Sequence, residues 1–338
     1  MGILRQCCVL VVIATVSFVA VEAFTQPEQL LRDVAAAPTV TLRIPSAAME
    51  LASLRIPLPK HAAKKNPSVA TTPSRYEYTT DPATLQAQGC AAGAAKVSGL
   101  VVLDFGQQVH FGEYGAYLFS KHFASNTQIT TAMEAYATGY AQCLPKHSAV
   151  HINLARGTSN YNILVPSAET AGKLWAAEVN KVGAFLKQHH FTRITSAAAI
   201  DAEPAYDKTF TKTHDFFYGF AEGTHRYLLY NYGSLDGGVD SYWSLEQAYY
   251  VAGGMRQARA IPEIYNLAMA QEWAELAKLS VVRHKQPIKL AGVMTQYQPN
   301  CKKCGYKSST ARHVLRGELA AAKVPSLSLD AVTNIGSR

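Results

Sequence analysis

From Gly99 onward, apolar runs of strand length alternate with longer stretches of helical period. LVVLDF, Leu100 to Phe105, is the first run. It is followed by AVHINLA (149–155), SAAAID (196–201), RYLLYNYG, RAIPEIY and KLAGVMTQYQ. Between them, a helix is expected from Asn126 as cap to Cys143. Another follows Ser167, with Leu174, Ala177, Val182 and Phe185 on one buried face. Further helices run through Phe216 and Phe220, from about Leu245, along AMAQEWAELAKLS and along TARHVLRGELAAA. Further strands are expected around GAYLFSK and in the weakly patterned parts.

Strands alternating with helices imply parallel pairing through right-handed crossovers. The predicted class is α/β, a (β/α)8 TIM-like barrel with room for irregularity. The competing layout is an open doubly wound sheet, which usually carries a glycine-rich phosphate turn after an early strand. DFGQQVHFGEYG is not such a turn, and no Walker sequence occurs.

Residues before the barrel read differently. Arg5 is a basic start, Val9 to Ala20 is an apolar run too short for a comfortable membrane span, and small residues at Val21 and Ala23 close it. This predicts a signal peptide, 1–23, and a secreted, extracellular protein, wall-associated if its basic charge is used. Residues 24–75 are rich in Ala and Pro without sustained period and read as a flexible leader. LRIP recurs at Leu42 and Leu54, too few copies for a repeat architecture. The barrel domain is then 76–338, with no stable membrane span after cleavage and a monomer expected.

Net charge is +8, a mild excess suited to solubility or to attraction toward anionic surfaces. No aromatic-basic motif points to nucleic acid. Signal removal leaves Cys90, Cys143, Cys301 and Cys304, an even set that favours disulfides in an exported chain. The expected pairs are Cys90–Cys143 and Cys301–Cys304. A zinc site at the C-x-x-C would need more ligands than His313 supplies, so no metal and no cofactor are expected.

Candidate chemistry lies at the strand ends. SAAAIDAEPAYD finishes a buried strand on Asp201 and Glu203, two residues apart and therefore on one face. Asp104 ends the first strand, and Glu263 sits between Pro262 and Ile264 after the RAIPEIY strand. Carboxylates sharing a pocket cannot all ionise, so one holds a proton near neutral pH. That division of labour suits glycoside hydrolysis. Glu203 is the expected proton donor, with Asp201 staying charged and Asp104 or Glu263 supplying a second carboxylate. Arg156, Asn153, Tyr232, Tyr265 and Gln296 are the expected substrate-binding residues. Each also has a plain structural reading: Asp201 as a turn cap, Glu203 as a loop acid, the tyrosines as packing.

VVLDFGQ, AIDAE, LLYNYG and GVMTQYQ, in that order over roughly residues 98–298, resemble the skeleton of GH25-type lysozymes and related glycoside-hydrolase-like barrel domains of bacterial cell-wall proteins. The resemblance implies that the glutamate of D-x-E, here Glu203, is the general acid, with Asp201 and Asp104 in support. The sequence departs from that pattern at Phe105–Gly106 after the first aspartate and at Met294–Thr295 where a tryptophan is expected. The implied partner is peptidoglycan or another polysaccharide. The alternative is a barrel that binds carbohydrate or cell wall without cleaving it.

Overall fold

The structure, a computed structural model, describes residues 70–301 and 305–336. The signal segment, most of the leader, and Cys304 lie outside the described residues. The fold is mixed α/β with a parallel sheet at its core.

The sheet elements begin with β1 (Thr72–Pro73) and β2 (Arg75–Tyr76), then β3 (Gly99–Phe111), β4 (Glu113–Tyr117), β5 (Phe123–Ser125) and β6 (Ile152–Leu164). β7 (Ile194–Asp201), β8 (Leu229–Asn231), β9 (Ala258–Ala260), β10 (Gly292–Thr295) and β11 (Ala331–Asn334) complete them. The order β3-β6-β7-β8-β9 is parallel throughout, with β2 parallel to the other side of β3. A second parallel run joins β10, β11 and β1. Parallel bridges from Ala260 to Leu290 and from Glu263 to Met294 connect the β9 segment to the β10 segment. The six strands read from the sequence are all present, although the fourth, fifth and sixth are short.

Period two explains how the acids reach one face. Val101, Leu103 and Phe105 of β3 pack with the helices, whereas Leu100 and Val102 join Ala155, Ala197, Ala199, Tyr230, Tyr232 and Met294 in an inner core. Asp104 continues the inner register of Leu100 and Val102, and Asp201 that of Ala197 and Ala199. The alanines of β7 leave interior room for the larger Tyr230, Tyr232 and Met294. Both faces of these strands are buried, hence their nearly continuous apolar sequences.

The helices are α1 (Pro82–Ala94), which was not read from the sequence, and then α2 (Asn126–Cys143), α3 (Ala168–Gln188), α4 (Thr211–Gly223), α5 (Leu245–Tyr249), α6 (Leu267–His284) and α7 (Ser308–Ala321) in the expected order. Ser125, one residue before the expected cap, begins α2 with a reciprocal capping box to Gln128. Ser167 caps α3 through the Thr170 amide. The buried face of α3 differs from the expected one. Trp175, Val179, Val182 and Leu186 carry it, while Leu174, Ala177 and Phe185 are only partly covered. Trp175 sets that rotation by packing under the Arg156 guanidinium, 3.9 Å from its ring centroid.

α1 and α2 approach backbone to backbone. A Cβ on Gly89 would lie 2.0 Å from the Tyr136 carbonyl oxygen, and one on Gly139 1.9 Å from that of Gln86. The predicted Cys90–Cys143 disulfide joins these helices, with a Cα–Cα separation of 5.0 Å. Cys301 is also disulfide-bonded.

Two expectations change. The leader was expected to extend to residue 75, yet Thr72 and Ser74 are buried in the sheet. Thr72 Oγ1 donates to the Leu100 and Val332 carbonyls, and Ser74 Oγ accepts from the Val102 amide. Hydrogen bonds across to β3 and β11, not apolar period, make this stretch a strand. The segment around GAYLFSK contains β4, which runs antiparallel between β3 and β5 as a hairpin on the sheet edge. No described helix is long and apolar enough to cross a membrane.

Candidate active site

The carboxyl ends of β3, β7 and β9 bring four of the predicted acids to one region. One carboxylate oxygen each from Asp201, Glu203 and Glu263 lies within 4.8 Å of the others. Asp104 contributes to their electrostatic field from β3.

Glu203 is held by its own backbone. Asn160, in β6 one residue past its last pairing with β7, accepts from the Glu203 amide at 3.0 Å and donates to the Glu203 carbonyl at 3.0 Å. Asn231, at the end of β8, accepts from the Ala202 and Gly233 amides at 3.3 and 3.0 Å. Pro204 then opens a turn in which the Tyr206 amide returns to the Glu203 carbonyl. The Glu203 carboxylate accepts from the Ser234 amide at 3.4 Å and from the Tyr206 hydroxyl. Asp236 fixes the facing loop. It accepts from the Ala205 amide at 2.7 Å and from Ser234 Oγ at 2.6 Å, and its own backbone is left-handed.

Each acid has a different environment. Asp104 is 1% exposed, and burial pushes its carboxyl up to about 6. It accepts from the Gly106 amide at 2.8 Å. The Tyr232 hydroxyl lies between Asp104 and the Thr158 carbonyl, 3.2 Å away. Asp201 was expected to stay charged, but burial and then the charges of Glu203 and Glu263 push it well above the usual carboxylate range. Its Oδ1 is buried without a hydrogen-bond partner. Burial, followed by the Glu203 charge, pushes Glu263 up to about 8. Glu203 is also raised, by burial and then by Asp236, while Tyr206 and Ser234 pull it back. The protons belong to the cluster as a unit, and charge is best supported at Glu203, where donors converge.

Tyr265 lies close enough to Glu263 to lower its carboxyl, although its buried hydroxyl makes no well-formed hydrogen bond. Gln296 Nε2 approaches Glu263 Oε1 at 3.5 Å and also donates to the Tyr76 hydroxyl. Tyr232, Tyr265 and Gln296 are therefore beside the acids.

Arg156 and Asn153 are not. Arg156 follows the outer register of Leu154 and is fully buried between the sheet and the helices. Its Nη1 donates to Thr130 Oγ1 at 3.0 Å and its Nη2 to Asn126 Oδ1 at 2.5 Å. Burial lowers its pKa to about 9, with Glu178 opposing the shift. Asn153 has the inner register but the wrong end. It pairs with Leu100 and Thr195, six residues before Ser159, the partner of Asp201, or about 20 Å along the strand.

Tyr76, Asn160, Tyr206, Ser234 and Asp236 were not singled out from the sequence. The strand read from the sequence ends at residue 155, short of Asn160 in the longer β6, and Asp236 reaches the site through a glycine-containing loop.

Chemically, the cluster can divide protonation between neighbouring carboxyls. Its all-oxygen donor set would also suit a hard divalent cation such as Mg²⁺ or Ca²⁺. A separate hollow of about 290 Å³, lined by His190, Arg226 and Tyr227 among others, contains no carboxylate.

No protein-family model and no curated protein matches the sequence. Among solved structures, the endo-1,4-beta-mannanase from Rhizomucor miehei is similar over 82% of this chain and 92% of that chain, with a TM-score of 0.41 and 8% sequence identity.

Proposed function

We propose that the chain is a glycoside hydrolase built on a (β/α)8-type barrel, with Glu203 and Glu263 as its working carboxyls. The barrel reading is supported by the run of parallel pairings. It passes from β3 through β9 to β10 and β11, then returns to β3 through β1 and β2, which only Ser74 separates. Active sites of such barrels sit at the carboxyl ends of the strands.

The observation that carries the reaction is the packing of Asp201, Glu203 and Glu263 oxygens within 4.8 Å of one another. Retaining glycosidases hold their two carboxyls about 5–5.5 Å apart, inverting ones about 6.5–9.5 Å. We take retention as the outcome to test, since an oxygen of each carboxyl approaches this closely. The environments favour Glu263 as proton donor, since burial keeps it protonated at neutral pH. Glu203 is then the charged nucleophile, stabilised by Ser234 and Tyr206. This reverses the role that the resemblance implies for Glu203. Asp201 remains neutral between them and keeps the two charges from accumulating.

In the first step, Glu203 attacks the anomeric carbon while Glu263 transfers its proton to the departing glycosidic oxygen. A glycosyl ester on Glu203 results. In the second, Glu263 takes a proton from water, the water oxygen bonds to the anomeric carbon, and the ester bond breaks. The setting we propose is outside the cell, on the strength of Arg5, the apolar run Val9 to Ala20 and the small residues Val21 and Ala23.

Polysaccharides and aryl glycosides with good and poor leaving groups test the roles. Glu263→Gln should slow poor leaving groups by about 10²-fold or more and good ones much less. Glu203→Ala should be inactive on both and regain turnover with azide, giving a glycosyl azide of inverted configuration. Retention in that azide product would exchange the two roles. A wild type that binds glycans and cleaves none would assign the site to binding instead. Activity lost on EDTA dialysis and restored by Mg²⁺ or Ca²⁺ would assign the cluster to a cation.

A further inference from the structure

The acid cluster is bordered by aromatic side chains, of which the proposed reaction uses only Tyr206. Tyr161, in the irregular stretch of β6 between its pairings at Ser159 and Leu164, is 42% exposed and Tyr206 is 38% exposed. Their rings meet edge to face at 5.0 Å. Tyr206 is bonded to Glu203, so this pair abuts the cluster on the β7 side. Phe119, 38% exposed, lies in the turn after β4. Its ring is 4.6 Å from that of Tyr76 and 6.0 Å from that of Tyr78, which is 48% exposed. Tyr76 is bonded to Gln296, which reaches Glu263. This second group therefore abuts the cluster on the β2 side.

Isolated exposed aromatics are ordinary on a protein surface. Here two separate groups are each linked to one of the two working carboxyls, the first directly through the Tyr206 phenol and the second through Tyr76 and Gln296. A pyranose ring has an apolar face of C–H groups and an edge of hydroxyls. An exposed aromatic ring takes the face, and neighbouring carboxylates and phenols take the edge. The charge on the cluster sets a further limit. Glu203 is charged there and Asp236 adds its charge from the facing loop, so an anionic sugar would meet like charge and lose affinity.

We propose that Tyr161 with Tyr206, and Phe119 with Tyr78, form two sugar-stacking platforms on opposite sides of the acid cluster, and that the ligand is an uncharged pyranose polymer spanning both. The inference rests on the glycosidase reading and deepens it, naming a polymer interior in place of a chain end or an anionic wall polymer. Tyr161 and Phe119 are the side chains to test, because neither bonds to the acids and both are exposed enough for truncation to leave the fold intact.

The experiment is calorimetric titration of the full chain carrying Glu263→Gln with soluble hydroxyethylcellulose, glucomannan and glycol chitin. Polygalacturonate is the anionic control, and the component monosaccharides test length. Saturable binding of at least one uncharged polymer is expected, with none for polygalacturonate or the monosaccharides. Tyr161→Ala and Phe119→Ala should each weaken binding by about 10-fold, with unchanged melting temperatures. Absence of binding to every uncharged polymer overturns the proposal. So do preference for polygalacturonate and binding that neither truncation weakens. Wild-type turnover separates the two claims. Binding that depends on both aromatics without cleavage retains the platforms and removes the reaction. Cleavage of polymer that neither truncation affects retains the reaction and removes the platforms.

Discussion

Replacing Glu263 by glutamine should make the protein more stable, and by an amount that depends on pH. Glu263 is 4% exposed, and burial raises its carboxyl from the usual range to about 8. The unfolded chain therefore releases this proton near pH 4.5, while the folded chain retains it until about pH 8. Within that window the unfolded state binds fewer protons, so stability falls as pH rises, by about 1.4 kcal/mol per pH unit. Glu263 then costs about 3 kcal/mol at pH 7 and almost nothing at pH 4. Glutamine keeps the shape and can still meet Gln296, but it has no proton to lose. For a chain this size the gain corresponds to roughly 6–12 °C in melting temperature at pH 7. Thermal unfolding of wild type and Glu263→Gln at pH 4, 7 and 9 measures it directly. The curves should converge at pH 4 and separate toward pH 9. A variant equally or less stable at every pH would refute the reasoning, because burial would then not be what holds the proton.

The other predictions follow from single features. Arg156→Met should change the unfolding free energy without changing substrate KM. Arg156→Ala should cost about 1–3 kcal/mol, measured by urea unfolding, by leaving Thr130 Oγ1 and Asn126 Oδ1 without their buried donor and Trp175 without the guanidinium that packs on it. Loss of the Cys90–Cys143 bridge, whose sequence separation is 53, should cost about 4 kcal/mol through loop entropy. The double Cys→Ala variant, compared by denaturant midpoint, tests that value. A chain beginning at Arg75 should melt about 10 °C or more below one beginning at Ala70, because it leaves the Leu100 carbonyl and Val102 amide without their partners.

The strand-end acids were legible because two simple rules suffice for them. Alternation places Asp104 and Asp201 inward, and a strand followed by a helix places their end of the sheet away from the return crossover. The same rule applied to Arg156 would have sent it outward with Leu154. Treating it as a ligand for sugar gave charge more weight than register. Asn153 failed on position along the strand, which residue type cannot reveal. β1, β2 and β11 were not legible as strands. Each is four residues or fewer, and each is held by hydroxyl and backbone hydrogen bonds to partners as much as 260 residues away. The split of protonation among Asp201, Glu203 and Glu263 depends on distances and burial, quantities that the motif D-x-E does not contain.

The glycine crossing of α1 and α2 bears on how the chain matures. Gly89 adjoins Cys90, and Gly139 lies one helical turn before Cys143. A side chain at Gly139 would also come within 2.9 Å of the Cys90 amide nitrogen. Once the helices have come into backbone contact, the two sulfurs are held together, so docking favours closure of this pair over any other. A chain whose helices are misaligned by one turn separates the two thiols and leaves them to meet only by chance loop closure. Two glycines with no chemistry of their own therefore favour one pairing, and a methyl group at either should give a slower, less selective oxidation.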